Sequence, residues 1–494
     1  MQTFLSNLLT PFYALRLRYV PLLLIYFAYG STVFVAIARD FWVKQSLSLS
    51  AEALLSLGVW LSVPWTIKMI FGQLVDSVTL FGSNRKVYVY IGALLMTLST
   101  LLFIGMVGEH TWVAGYSKEH LYIVASVIGV VGMVLQDVVA DTMTTEVVEP
   151  HSSEEERRKE LATIQVLSRL SLGFAIFMMG WLGGEVAERY GYEMVFILSL
   201  FIPLLSILGV SVVSLTPVAP VPLNKKIFFG GVLFALFVIT MGYNEVPYSQ
   251  EIVFLVSLGV VLYFLKSLIE PLDARMVRHI KMAMIVIFVY RAMPSVGPAL
   301  QWWEIDVLGF DEAFFAKLSM IGGGIALAGM WFGASYLIRH SIGRVLVFLT
   351  LVSTLLSLPI LGLYYNLHTL LGVDARTVAL VDTALASPFD YISGVLMLTL
   401  VAIYAPEGNR GTWFALMASF MNIALSASGL LSKYLNQLFV VTREVKEGGV
   451  VVVSANYEHL GILLWIVTLL GLIIPLITIW RYNPDLNIKE TDEK

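Results

Sequence analysis

Seven ionisable side chains stand inside stretches that are otherwise apolar: Lys68, Asp137, Asp141, Arg169, Arg291, Asp382 and Asp390. Such groups are costly in a bilayer and face a polar cavity or a partner within a helix bundle. A guanidinium offers a planar fork of N–H donors that fits a carboxylate or phosphate, whereas an ammonium attracts an anion as a point charge. Asp137 and Asp141 are four residues apart, so a helix sets them on one face. Two negative charges that close in an apolar medium resist ionising together, which is the property wanted of a proton carrier. Arg291 lies in Tyr290-Arg-Ala-Met-Pro-Ser-Val-Gly-Pro298. Two prolines and a glycine within five residues break or kink a helix, and the freed backbone groups are tolerated only where they line protein or a cavity. A kinked span beside a charge points to a binding site. Arg291, Lys68 and Arg169 are therefore candidate anion contacts, and Asp137, Asp141 and Asp390 candidate proton carriers. Structural readings stand beside these. Lys68 could snorkel to the surface, Asp141 and Arg169 could form a fixed ion pair between neighbouring spans, and Arg291 could pair with Asp390.

These side chains need a scaffold that buries them among apolar helices. Hydrophobic residues make up 58% of the 494 and charged residues 13%, with a mean hydropathy of +0.82. Soluble domains run at roughly 45–50% and 25%. The chain is therefore read as an all-α polytopic membrane protein. A net charge of −4 with no basic tract points to no nucleic-acid partner. There is no cysteine, so no disulfide, thiolate metal site or cysteine nucleophile can form. His110, His151, His340 and His459 fall in loops or at span ends without ligand spacing, so neither metal nor cofactor is expected. No glycine-rich phosphate loop is present, which argues against an ATP-driven pump. Met1 to Tyr19 carries Arg16 and Arg18 but no cleavage site after an apolar core, and reads as a juxtamembrane helix leading into the first span.

About 20 residues at 1.5 Å each cross the hydrocarbon. By that ruler about fourteen stretches qualify, the first near 20–38, the second near 52–75 and the last near 459–480. The even number puts both termini on one side. Placing them in the cytoplasm leaves the basic clusters Arg85-Lys86, Arg157-Arg158-Lys159, Lys225-Lys226 and Arg275/Arg278/Lys281 inside, as the positive-inside rule requires. The seventh and eighth stretches, near 227–243 and 251–268, are the shortest. They read as an inserted hairpin whose removal leaves six spans before and six after. Six plus six is the plan of the major facilitator superfamily. The expected organisation is an N-terminal six-helix half over 1–214, a central loop with the inserted transmembrane hairpin over 215–281, and a C-terminal six-helix half over 282–494. Trp302 and Trp303 suit an interfacial aromatic belt. Glu149 to Glu160 reads as a solvated helix. Phe439 to Ser454, two β-branched runs around Glu-Gly-Gly, reads as either a β-hairpin or an extended loop.

Pro64-Trp-Thr-Ile-Lys68, then Gly72, Asp76-Ser77, Phe81-Gly82 and Arg85-Lys86-Val-Tyr88, resembles the signature of the folate-biopterin transporter family. Further matches are Ala292-Met-Pro294 with Leu308-Gly-Phe310, and Pro406-Glu-Gly408 with Thr412, Phe414-Ala-Leu416 and Ser419 to Asn422. Departures occur: Met69 replaces the usual proline, Ser83-Asn84 replace an aromatic and an arginine, and Ala405 replaces a cysteine. Gln136-Asp137-Val-Val-Ala-Asp141 also looks like related muropeptide permeases and acetyl-CoA transporters. The resemblance implies a secondary carrier of an organic anion, foremost folate or a pterin, with proton coupling. Arg291, Lys68 or Arg169 would meet the carboxylates and aromatics such as Tyr26 and Tyr290 the flat ring. It also implies a latch at the end of the second span, where Asp76, Arg85 and Lys86 would act as a gate; plain positive-inside topology explains the same charges. The alternatives are a permease for another anionic metabolite (a muropeptide, acetyl-CoA or a siderophore), or a channel or membrane enzyme, although no clustered nucleophile or metal motif favours an enzyme. Expected partners are a small anionic solute, protons and the lipid of a bacterial inner (plasma) membrane, with the protein a monomer.

Overall fold

The computed structural model describes residues 15–82, 85–147, 154–212, 225–244, 246–339, 342–403, 410–447 and 450–486. These residues are helical almost throughout, as composition demands. Their contacts fall into two units, Met1–Ser46, Ile70–Leu233 and Phe315–Gly323 in one, and Leu47–Met69, Phe234–Phe314 and Gly324–Lys494 in the other.

The first unit begins with α1 (Val20–Ser31) and α2 (Ala36–Ser46), joined by a 3-10 turn at Thr32–Val35. Most of the expected juxtamembrane helix lies outside the described residues. Next in sequence, and within the second unit as far as Met69, comes the run assigned above to one span over 52–75. It is two helices, α3 (Ala51–Thr66) and α4 (Lys68–Ser77), parted at Ile67. Pro64 sits inside α3 and has no N–H for the carbonyl one turn back, which weakens the helix there. The helices α5 (Lys86–Val107), α6 (Lys118–Glu146), α7 (Glu154–Tyr190), α8 (Tyr192–Ser199) and α9 (Phe201–Val212) follow. Of the acidic-basic segment before span 5, the described part from Glu154 is helical and runs unbroken into α7. Glu160 on that helix receives hydrogen bonds from both Arg18 and Tyr19, tying α7 to the start of the chain.

The inserted pair is α10 (Lys225–Tyr243) and α11 (Ser249–Ile269). Beyond it lie α12 (Ala274–Arg291), α13 (Pro298–Asp306), α14 (Glu312–Arg339), α15 (Ile342–Leu356), α16 (Leu358–Tyr364), α17 (Leu367–Leu370), α18 (Ala375–Ile403) and α19 (Arg410–Leu438). Two strands, β1 (Val445–Glu447) and β2 (Val450–Val453), precede α20 (Leu460–Leu486). The strands pair antiparallel with Glu447 opposite Val450, so the segment after α19 is a hairpin rather than an extended loop. Arg443, at its root, donates to the Leu47 carbonyl and lies 4.8 Å over the Trp302 ring. Trp302 and Trp303 are buried in an apolar core with Leu361, Leu460 and Leu463. They do not form a lipid-facing belt; the short α13 turns them inward.

Among the described residues eight helices are long and apolar enough to cross a membrane, or nine if α3 and α4 make one broken span. The other expected spans fall on three kinds of segment. The apolar part of α10, Phe228–Gly242, is short, and at 1.5 Å per residue covers only about 22 Å. The α12–α13 pair is divided at Pro294. Side chains along parts of α14, α18 and α19 lie outside the described residues.

Candidate functional site

In the first unit Tyr26 stands on α1, Asp137 and Asp141 on α6 and Arg169 on α7. Close helix contacts fix their places. A Cβ on Gly30 would fall 2.4 Å from the Leu172 carbonyl oxygen, and Ser171 Oγ donates to the Leu23 carbonyl at 2.8 Å, so α1 and α7 touch nearly backbone to backbone. The same holds for α5 and α6. A Cβ on Gly92 would come within 2.8 Å of the Gly132 carbonyl oxygen, and one on Gly132 within 2.7 Å of the Gly92 oxygen. Small residues at such crossings are how membrane helices approach.

That approach pins Gln136, which donates from Nε2 to the Val89 carbonyl at 3.1 Å and accepts at Oε1 from Ser206 on α9 at 2.9 Å. Asp137, the next residue, is buried, and Asp141 one turn on is exposed. The buried Tyr26 hydroxyl donates to Asp141 Oδ1 at 2.9 Å. A void of about 10 Å³ bounded by Tyr26, Tyr29, Met133 and Asp137 has room for about one water and none for a ring. Arg169 is exposed, near enough for its charge to act on Tyr26. Among the described residues it forms no ion pair with Asp141; the tyrosine hydroxyl stands at that carboxylate instead. Gln136 and Ser206 were given no role above. The available signal was a glutamine inside an apolar span, directly beside an aspartate.

In the second unit α12 ends at Arg291, and residues 292–297 are non-helical. Gly297 has φ +74° and Pro298 opens α13, so the break predicted from the two prolines and the glycine is present. Its exposed backbone is met by one stripe of α19. Ser428 Oγ donates to the Met293 carbonyl at 2.6 Å, Ser432 Oγ accepts from the Ser295 N–H at 2.8 Å, and Asn436 Nδ2 donates to the Val296 carbonyl at 3.2 Å. These three residues recur at i, i+4 and i+8, so one helix face meets three backbone groups of the break. Arg291 itself donates from Nε to the Met421 carbonyl at 3.3 Å, and its terminal nitrogens meet no partner among the described residues. Asp390 lies on α18 with its side chain outside the described residues. The Tyr290 hydroxyl donates to the Leu346 carbonyl at 2.8 Å and bonds Thr350 on α15, so this phenol is anchored within the helix packing. The polar stripe went unread because serines in an apolar span can equally bond their own helix, as Ser432 does to the Ser428 carbonyl.

Lys68 is the first residue of α4, half-buried, just past the break at Ile67. Asp76 lies at the other end of α4 and Arg85 immediately before α5. They meet, with Arg85 Nη2 donating to Asp76 Oδ1 at 3.0 Å and Nη1 to the Val75 carbonyl at 2.7 Å. The Tyr88 hydroxyl donates to the Val78 carbonyl at 2.8 Å. The turn between α4 and α5 is thus closed by a buried arginine. Lys86 opens α5.

The fold is that of known carriers. A POT family transporter solved with a thioalcohol-conjugated peptide superposes with a TM-score of 0.68 at 11% identity, over 95% of this chain and 96% of that one. A D-xylose-proton symporter gives 0.58 at 14% identity, over 95% and 97%. In sequence, a folate-biopterin transporter from Synechocystis is 24% identical over 458 residues, covering 92% of this chain and 79% of that protein. A probable folate-biopterin transporter 4 from Arabidopsis thaliana is 22% identical over 444 residues, covering 85% and 88%. Folate transporter 1 of Plasmodium falciparum is 21% identical over 417 residues, covering 84% and 71%. The model of the BT1 family matches residues 30–494. Apolar helices broken at charged positions, the fold of solute carriers and a match along nearly the whole chain lead to one conclusion: this multi-pass membrane transporter belongs to the BT1 family, the folate-biopterin transporters.

Proposed function

We propose that the chain is a proton-coupled secondary carrier of an organic anion, with folate or a pterin as solute. It would work through two six-helix halves, 1–214 and 282–494, with 215–281 as an inserted hairpin and both termini in the cytoplasm of a bacterial inner membrane. The observation that carries the reading is Arg291, a guanidinium at a proline-broken helix end with its fork toward no described protein partner. A carboxylate fits such a fork in two parallel hydrogen bonds. Arg169 and Lys68 are the further cations and Tyr26 and Tyr290 the aromatic neighbours of this proposal. The names of the relatives support the solute class. For coupling, Asp141 with its Tyr26 hydroxyl, the buried Asp137 and Asp390 are the proton-bearing groups. The Asp76–Arg85 bond, with Lys86, is a gate, because an ion pair at a membrane edge breaks at modest cost during a conformational cycle.

Purified protein in liposomes tests this. A panel of folates, pterins, muropeptides, acetyl-CoA and siderophores is offered with and without an imposed pH gradient. Gradient-driven accumulation of a folate or pterin is expected, lost in Asp141→Asn while solute exchange persists. Arg291→Lys should bind more weakly than wild type and Arg291→Ala hardly at all, since lysine keeps the charge without the fork. If Arg291→Ala is still stabilised by the solute as strongly as wild type, Arg291 is no anchor. If Arg291→Ala and Asp390→Ala each destabilise and their combination restores stability, the arginine is structural.

A further inference from the structure

A second cationic feature lies away from these sites, where α11 ends and α12 begins. The two helices leave a cavity of about 590 Å³ lined by Lys266, Glu270, Ala274, Arg278 and Lys281. That volume is in the range of small-molecule pockets, roughly 300–1,000 Å³. Three cations face one carboxylate across it, and all three are exposed. The N-terminal turn of α12 points into the same space through Ala274 and Val277, with Asp273 capping the Met276 N–H at 2.9 Å. A helix start adds partial positive charge and free N–H groups to what the side chains supply. The feature is thus built for an anion with several oxygens.

Its surroundings say which anion. Leu262 and Tyr263, 41% and 69% exposed, are four and three residues before Lys266 and share its face of α11. Leu255, 62% exposed, continues the stripe two turns further. An apolar stripe on a helix apolar enough to span the bilayer meets acyl chains, and it leads into the cationic cleft. Basic pockets at the ends of membrane helices suit acidic headgroups. We propose that the α11–α12 cleft is a binding site for an anionic phospholipid, whose phosphodiester lies among Lys266, Arg278 and Lys281 and whose chains follow the Leu255–Leu262–Tyr263 stripe. The inserted hairpin would then carry a lipid site, separate from the solute path and independent of what the solute is.

Native mass spectrometry of the full-length protein, extracted from nanodiscs of mixed phosphatidylglycerol and phosphatidylcholine, tests the assignment. Wild type should retain phosphatidylglycerol in preference to phosphatidylcholine. A juxtamembrane cation contributes about 1 kcal/mol toward acidic lipid, or about fivefold in affinity, so the triple variant Lys266→Gln/Arg278→Gln/Lys281→Gln should retain it about 100-fold less well. The three single variants, each expected to lose about fivefold, and the charge-keeping Arg278→Lys, expected to retain the lipid, keep the test decisive if the triple variant misfolds. Equal retention by wild type and the neutralised variants overturns the proposal. So does displacement of the lipid by glycerol phosphate or inorganic phosphate at comparable concentration, which marks a site for free anions.

Discussion

Among the residues, the polar contacts divide into those that hold helices and those left for chemistry. Asp311 belongs to the first kind. It precedes α14, accepts the Phe314 N–H at 2.8 Å and receives Arg376 from the start of α18 at 2.7 Å. Burial works against its charge, but the hydrogen bonds from Arg376 and the Phe314 N–H, with the arginine's charge, outweigh that and hold its pKa below the ordinary aspartate value. A carboxylate depressed on folding stabilises above its unfolded pKa, about 3.9, and loses that contribution as pH falls through the lower folded value. Asp311→Asn keeps the N-cap and removes only the charge. The variant should unfold at slightly lower temperature than wild type near pH 7, by up to about 1 kcal/mol for so exposed a pair. The two melting temperatures should converge as the buffer is taken below pH 4. A gap that persists in acid would show that the charge is not what Asp311 contributes. Arg443, by contrast, is held by geometry against its own charge. Burial lowers its guanidinium to about 10, which still leaves it protonated at neutral pH over the Trp302 ring.

For the elements, the governing event is a helix interrupted and then completed by a neighbour. The break after Arg291 frees backbone groups that hydrocarbon cannot satisfy, and Ser428, Ser432 and Asn436 of α19 satisfy them in register. Polar contacts between membrane helices are worth about 0.6 kcal/mol on average and up to about 1.7. Ser432→Ala and Asn436→Ala should each therefore lower stability by about 0.6–1.7 kcal/mol. The double variant should cost less than the sum, because both residues hold one segment. Unfolding in a graded denaturing detergent would measure this; strict additivity would mean the two act on separate structure. The α5–α6 crossing at Gly92 and Gly132 does comparable work for Asp137, since it presses Gln136 to the Val89 carbonyl and so fixes the turn that carries the aspartate.

For the whole molecule, charge bias predicts which way the chain crosses the membrane. The basic clusters predict Lys225 and His279 on the cytoplasmic side, with Asn244 and Lys446 outside. A cysteine-free chain makes this direct: single cysteines at the four positions, probed on intact cells with an impermeant thiol reagent, should label at 244 and 446 only. Labelling at 225 with none at 446 would reverse the orientation.

Class, family and the break at Arg291 were legible in the order of residues, for local reasons. Hydropathy over about 20 residues reports a bilayer span directly, and two prolines and a glycine within five residues break a helix whatever surrounds them. The two β-branched runs around Glu-Gly-Gly likewise signalled the strands that pair antiparallel. The tertiary structure decided what depends on partners distant in the chain. Arg169 and Asp141 stand on neighbouring spans, yet the carboxylate meets the Tyr26 hydroxyl, 115 residues away, on the helix that Gly30 lets approach the Leu172 carbonyl of α7. Trp302 and Trp303 read as a belt but are core, because a nine-residue helix after a break can turn inward as a full span cannot. The second span divides at Ile67, one residue before Lys68, where hydropathy alone showed one continuous stretch. Periodicity gives the face on which a side chain lies; only packing gives the neighbour that face receives.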